Sequence, residues 1–212
     1  MPKIIKVNGF WVPSNDVHLD QWKSGRPFTQ NKCLIKFLDY CQNQNKKFRT
    51  VLDIGAWCGT WAITMQQYAK NIYCFEPNKT HYECLQRNVA PYGHIRIYNQ
   101  AIGNEDGYIS LSQESSTQNT RVLLEKGETK ISKMDSLNIQ DIDLLKVDVE
   151  GLEMEVLKGA SHQLEKIKYI MIELNNNSKR YGSSNLEIEK HLKDLGYKIL
   201  IKTWPDVVYY KV

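Results

Sequence analysis

Four stretches of the chain are apolar at almost consecutive positions, and each carries a carboxylate at or near its end: Val51 to Ile54 with Asp53, Asn71 to Phe75 with Glu76, Leu144 to Val149 with Asp148, and Tyr169 to Leu174 with Glu173. Unbroken apolar runs of this length are expected of strands covered on both faces, as in a parallel sheet. A shorter run, Ile95 to Tyr98, reads as a further strand. Between the runs the spacing turns helical. Apolar residues recur at Cys33, Leu34, Phe37, Leu38 and Cys41 in a helix from Phe28 to Tyr40, and again from Trp61 to Tyr68 and from Thr80 to Val89. Leu152 to Leu157 begins another helix, which Gly159 stops, and Asn185 to Leu195 follows the same period up to Gly196. Gly107 to Leu111 and Thr129 to Met134 alternate and predict an antiparallel excursion around a polar loop, Gln113 to Thr120. Tyr197 to Ile201 and Val207 to Val212 close the chain as an antiparallel pair about Trp204-Pro205-Asp206. Alternating strands and helices predict an α/β fold: a doubly wound, Rossmann-like, mostly parallel sheet of about seven strands with the last antiparallel. Residues 1–26 show no sustained period and read as an irregular arm, which either lies across a cleft or packs on the outside. The expected organisation is an arm and helix over 1–48 and one domain over 49–212.

The segment Thr50 to Trp61 organises the rest. A buried strand breaks at Gly55 and Gly59 and continues as a helix, the pattern of a ligand-binding strand–turn–helix. Gly55 permits a sharp turn and a close approach of ligand to backbone. Asp53 on a central strand is costly unless satisfied, which loop N–H groups and a cationic ligand would do. The spacing is D-x-G-x-x-x-G, whereas a pyrophosphate-binding dinucleotide site has G-x-G-x-x-G. An anion would meet Asp53, so a ligand with ammonium and sulfonium charges, S-adenosylmethionine, fits better. A structural turn with a buried Asp is the alternative. Glu76 lies 21 residues beyond Gly55, where βα nucleotide sites place the acid that binds ribose hydroxyls; a cap on the next helix is its plainer role. Asp53, Glu76, Asp148 and Glu150 are expected on one rim, beyond the carboxyl ends of the strands.

Composition narrows the field without choosing a substrate. The 212 residues suit one domain, and the formal charge of +4 is scattered without a basic run, which argues against a nucleic-acid or polybasic membrane surface. No apolar run is long enough to span a membrane and Met1-Pro2-Lys3 does not begin a signal peptide, so a cytoplasmic protein is expected. The five cysteines (Cys33, Cys41, Cys58, Cys74, Cys84) lack zinc spacing and read as reduced packing residues. No metal site is predicted, although Asp148, Glu150 and Glu173 are oxygen ligands of the kind a divalent cation takes. His81, His94 and His191 read as surface residues; His18 and His162 are less regular, and either could act as a base.

Four motifs together resemble the FkbM family of S-adenosylmethionine-dependent methyltransferases over roughly Val51 to Leu174. They are V-L-D-I-G-A-W-C-G-T-W, C-F-E-P-N, N-Q-A-I-G-N-E-D-G, and L-L-K-V-D-V-E-G-L-E-M-E-V-L-K-G-A followed by I-M-I-E-L. The stretch Leu144 to Ala160 is the most distinguishing. The resemblance implies a seven-stranded sheet with its last strand antiparallel, and methylation of a hydroxyl on a sugar, lipid or polyketide-like small molecule. It implies that Asp53, Gly55, Ala56, Trp57, Gly59, Thr60 and Trp61 hold the methionine part of the cofactor. Glu76 then takes the ribose, Pro77 and Asn78 lie beside the adenine, Gln100, Ala101 and Ile102 line its edge, and Asp148 sits by the transferable methyl group. Trp57 stands where the family usually has a small or polar residue, a departure expected to narrow the pocket.

Methyl transfer to oxygen needs alignment and a base for the hydroxyl proton. The candidates are Asp148, Glu150 and Glu173, whose crowding can raise one another's pKa. In the plainer reading Asp148 only holds cofactor and Glu150 caps the following helix. Asp148-Val149-Glu150-Gly151 stands where a nucleic-acid amino-methylating enzyme carries Asn- or Asp-Pro-Pro-aromatic. A nicotinamide-dependent oxidoreductase is disfavoured by the loop spacing, and a non-catalytic nucleotide-binding protein shares the same fold.

Overall fold

The computed structural model describes residues 2–25, 32–112, 122–123 and 125–212. The predicted Gln113 to Thr120 loop and the first residues of the Phe28 helix lie outside these. The chain opens with a hairpin, β1 (Ile4–Val7) and β2 (Phe10–Pro13), and a short helix α1 (Leu19–Lys23). This corrects the expectation of an irregular arm. The signal was Asn8-Gly9: both residues have positive φ (48° and 87°), and Val7 pairs with Phe10, so they form the two-residue hairpin loop this dipeptide favours. Strands of four residues are too short to register as a period.

Helix α2 (Lys32–Asn43) leads to β3 (Phe48–Ile54), α3 (Thr60–Met65), β4 (Ala69–Phe75), α4 (Lys79–Val89) and β5 (Ile95–Tyr98). The excursion follows as β6 (Ala101–Gly103), β7 (Gly107–Leu111), β8 (Val122–Leu123) and β9 (Thr129–Lys133). Then come β10 (Ile142–Val147), α5 (Glu153–Lys158), β11 (Tyr169–Glu173), α6 (Asn185–Asp194), β12 (Lys198–Thr203) and β13 (Asp206–Tyr210). The large sheet has seven strands in the order β12-β13-β11-β10-β3-β4-β5. Its β11, β10, β3, β4 and β5 run parallel, while β13 is antiparallel to both neighbours, so the last strand is antiparallel as expected. The excursion forms a smaller sheet, β6-β9-β7-β8, in which β7 is antiparallel to β8 and β9 and β6 is parallel to β9.

Successive residues of the central strands feed two cores, which is why the runs are unbroken. Leu52, Ile54, Leu145, Val147, Ile170 and Ile172 pack with α5 and α6 on one face; Val51, Ile72, Leu144 and Met171 pack with α2, α3 and α4 on the other. Each Leu or Ile buried there stabilises the fold by about 1.5–3 kcal/mol. The five cysteines are free and buried. Burial pushes the Cys41 thiol up to about 12, which suits packing rather than attack. No helix of the described residues is long and apolar enough to cross a membrane.

Candidate active site

A cavity of about 440 Å³ opens beyond the carboxyl ends of β3, β4 and β10, the crevice where open α/β sheets bind ligands. Gly55, Ala56, Trp57, Thr60 and Trp61 line it from the loop after β3. Glu76 and Pro77 enter from the end of β4, and Gln100, Ala101 and Ile102 from the β5–β6 segment. Asp148, Glu150 and Glu173 close the remaining side. The loop turns through left-handed positions at Gly55 (φ 78°), Trp57 (φ 48°) and Gly59 (φ 93°). A side chain at Gly55 would collide with the carbonyl of Asp148, so the close approach this glycine permits is to the neighbouring strand end rather than to a ligand.

Three residues expected at the ligand stand behind the cavity wall. Asp53 is fully buried and pairs with Lys146 Nζ at 2.9 Å, so its partner is a lysine on the adjacent strand rather than a bound cation. Register places Lys146 directly beside Asp53. Lys146 also donates to the Gly55 carbonyl (2.6 Å), lies 3.5 Å from Asp148 Oδ2, and reaches the cavity. Burial pulls Lys146 down, but Asp53 and Asp148 more than offset it, and its ammonium titrates above the ordinary value. Gly59 packs toward Leu85 and Val89 of α4. Asn78 caps α4, its side chain accepting from the N–H groups of Thr80 and His81.

Glu76 is 5% exposed and held from three sides. Trp57 N donates to Oε2 and Asn78 N to Oε1, both at 2.9 Å, while His81 Nδ1 lies 3.4 Å from Oε1. The cap of α4 therefore falls to Asn78, and Glu76 faces the cavity. His81 is buried, lines the cavity and meets the Trp57 ring at 6.2 Å, which corrects its expected surface position. His94, half-buried, sits 3.1 Å from the Gln66 carbonyl, and His191 is also half-buried. His18 stands at the cavity edge, its ring 5.8 Å from that of Trp22. His162 pairs with Asp135 at 3.2 Å and is not part of the cavity lining.

On the opposite side, one carboxylate oxygen from each of Asp148, Glu150 and Glu173 lies within 4.8 Å of the others, close enough to share a proton or a cation. Glu150 sits at φ 56°, a backbone position uncommon for a non-glycine residue, and Asn177 Nδ2 donates to its Oε2 at 2.9 Å. Gly151 follows at φ 116°, where an added side chain would meet the Asn177 carbonyl carbon at 2.8 Å. Burial, and then the charges of Asp148 and Glu153, push Glu150 up to about 7. Burial, followed by Asp148 and Glu150, pushes Glu173 up to about 9; Asn175 donates to its Oε2 at 2.5 Å. Glu150 does not cap α5; the loop that carries it is held instead by Glu153, the first residue of that helix, which accepts from Gly151 N (2.9 Å) and Val149 N (3.4 Å).

Lys146 and Glu153 were not singled out in the sequence, and His81 was expected at the surface. The lysine had a readable signal, being a charge in mid-strand with a buried aspartate on another strand to answer it.

The methyltransferase FkbM domain family matches residues 44–199. Over 138 residues the chain is 29% identical to the hexuronic acid methyltransferase AglP of Haloferax volcanii, an alignment covering 58% of this chain and 54% of that protein. The chain thus spans about half the length of this relative. Among solved structures, the FkbM methyltransferase of Methylobacillus flagellatus KT superposes with a TM-score of 0.56 at 16% identity, covering 77% of this chain and 43% of that one. The magnesium protoporphyrin IX methyltransferase ChlM of Synechocystis PCC 6803, solved with bound S-adenosylmethionine, superposes at 0.55 and 14% identity over 93% of both chains. These structural likenesses speak for the fold; the family match covers most of the chain, and the protein belongs to the FkbM methyltransferase family.

Proposed function

We propose that this protein is an S-adenosylmethionine-dependent O-methyltransferase whose acceptor is a hydroxyl of a sugar or another small molecule. The observation that carries this reading is one cavity with a held carboxylate, Glu76, at one side and the trio Asp148, Glu150 and Glu173 at the other. The residues fit the cofactor: Phe75, Ala101 and Ile102 offer apolar wall beside Glu76, and the cavity volume falls in the range of small-molecule sites. Glu76 would take the ribose hydroxyls, with Pro77, Gln100, Ala101 and Ile102 about the base. Gly55, Ala56, Trp57, Thr60 and Trp61 would hold the amino-acid end, and Asp53 and Gly59 support that loop from behind. When bound, S-adenosylmethionine supplies a methyl group activated by its sulfonium.

The residues of this chain then have to orient the acceptor, exclude water and take one proton from its hydroxyl oxygen. Glu150, poised at about 7, suits the base near neutral pH. Glu173, at about 9, is protonated there and suits a hydrogen-bond donor that orients the acceptor oxygen. Asp148, beside Lys146, is placed to face the positive donor. Likeness to a hexuronic acid methyltransferase supports a sugar acceptor, and the scattered charge of the chain gives no support for nucleic acid. Incubating the protein with labelled S-adenosylmethionine and a panel of sugars, lipids and capped RNA tests the reading. Transfer to a sugar or lipid hydroxyl is expected; transfer to RNA alone, or to none of the panel, contradicts it. Asp148→Asn should lower S-adenosylmethionine affinity more than turnover, because the sulfonium charge it faces is being discharged in the transition state; calorimetry and single-turnover kinetics separate the two.

A further inference from the structure

The amino-terminal hairpin and the cofactor-facing loop are joined through one buried side chain. Asn88, near the end of α4 and 9% exposed, accepts from Trp11 N at 2.8 Å and donates through Nδ2 to Trp11 O at 2.8 Å and to Cys58 O at 2.9 Å. A single carboxamide thus continues the edge of β2 and also fixes a carbonyl inside the turn between Asp53 and Trp61. Two further contacts reinforce the junction. Arg87 lies over the Trp11 ring, 4.8 Å from its centroid, and Trp22 of α1 packs on Trp57 at 5.4 Å. Val7, Val12 and Trp22 form a small core of their own, against which Trp57 is packed. Trp57 in turn donates its backbone N–H to Glu76.

We propose that Asn88 is a positioning residue, a latch that couples docking of the hairpin to the shape of the cofactor loop. This rests on the reading of the cavity as a cofactor site. The physics is that of a shared constraint. Two of the three hydrogen bonds go to the hairpin and one to the loop, so an undocked hairpin frees the carboxamide, removes Trp22 from the Trp57 ring and leaves Trp57 at its left-handed backbone position with less to hold it. Ligand binding to the ordered loop must then favour the docked hairpin, and docking must favour ligand, by the same factor.

The test uses the full chain, S-adenosylhomocysteine as probe, calorimetry for affinity and trypsin cleavage at Lys6 and Lys23 for docking. Asn88→Asp keeps the shape but loses both donated hydrogen bonds and turns a carboxylate toward two carbonyls. Trp22→Ala loosens the hairpin without touching Asn88. Each is expected to weaken binding about tenfold, the scale of one or two lost buried hydrogen bonds. Each should also speed cleavage of the hairpin, and the ligand should slow cleavage in the parent protein. Where a single substitution already undocks the hairpin fully, read as cleavage at its maximal rate, the double variant should bind about as the weaker single variant does, because the coupling factor caps the loss. Unchanged affinity in both variants, or losses that still multiply after cleavage has reached its maximal rate, would overturn the latch. A parent protein that binds no S-adenosylhomocysteine would instead overturn the cofactor reading on which the latch stands.

Discussion

Two acidic regions lie on neighbouring strands, Asp53 two register positions short of Asp148; burial raises the carboxyl pKa in both, but they are satisfied in different ways. Asp53 has no exposure, and a lysine from the next strand answers it at 2.9 Å. Asp148, Glu150 and Glu173 crowd together at the cavity wall, and two of the three are pushed up toward neutrality or beyond. The difference comes from register. Lys146 sits level with Asp53 on the same face, so one charge cancels the other inside the sheet. Past the end of β10 no equivalent lysine follows; Asp148 borrows the edge of Lys146 at 3.5 Å, and Glu150 and Glu173 have amide donors instead. In this chain the acid paired with a lysine of the neighbouring strand stands behind the cavity wall, whereas the three crowded acids face the cavity, where their chemistry is proposed.

Removing the shared cation has the largest expected effect. Lys146→Met leaves Asp53 as an uncompensated buried charge and should destabilise the fold by about 3–5 kcal/mol, read by chemical denaturation. A loss below about 1 kcal/mol would mean that Asp53 is neutral and the pair is not an ion pair. The next effect falls on the other region. Glu150→Gln should lower kcat/KM by about a hundredfold or more, the lower range for a general base. It should also abolish the rise in activity as pH climbs through about 7. Retention of that rise would assign the base elsewhere.

Glu76→Gln should weaken S-adenosylhomocysteine binding by about 1–3 kcal/mol, as for loss of a charged hydrogen-bond acceptor, and calorimetry reads this directly. The smallest effect is one of stability. Glu150 and Glu173 keep their protons in the folded chain where the unfolded chain, near 4.5, has released them. Their contribution is thus full below about 4.5 and is lost as pH rises through about 7 and about 9. Glu173→Gln, which cannot ionise, should therefore raise the stability, and with it the melting temperature, at pH 9 relative to the parent. The gain should vanish at pH 5, and equal shifts at both values would show that charge is not the cause.

The legibility of each region followed the physics that formed it. Central strands such as Val51 to Ile54 and Tyr169 to Glu173 were plain because burial on both faces forces apolar runs, and Ile95 to Tyr98 and Gly107 to Leu111 coincide with β5 and β7. The hairpin of the arm escaped because its order comes from a turn and from contacts with α4, Trp11 to Asn88 above all, which leave no period. Which acids reach the cavity was legible for Glu76, Asp148, Glu150 and Glu173, since strand ends face the crevice. That Asp53 does not reach it depends on a register between β3 and β10, residues far apart in sequence. His81 was hidden for a related reason: helical spacing alone does not say which helix face meets Trp57 and Glu76.

Whether this cavity holds an adenosyl methyl donor between Glu76 and the carboxylate trio is decided by a crystal structure grown with saturating S-adenosylhomocysteine. Ribose hydroxyls on Glu76, the base against Ala101 and Ile102, and sulfur directed toward Asp148 are expected. An empty cavity, or a ligand whose ribose lies away from Glu76, would contradict this placement.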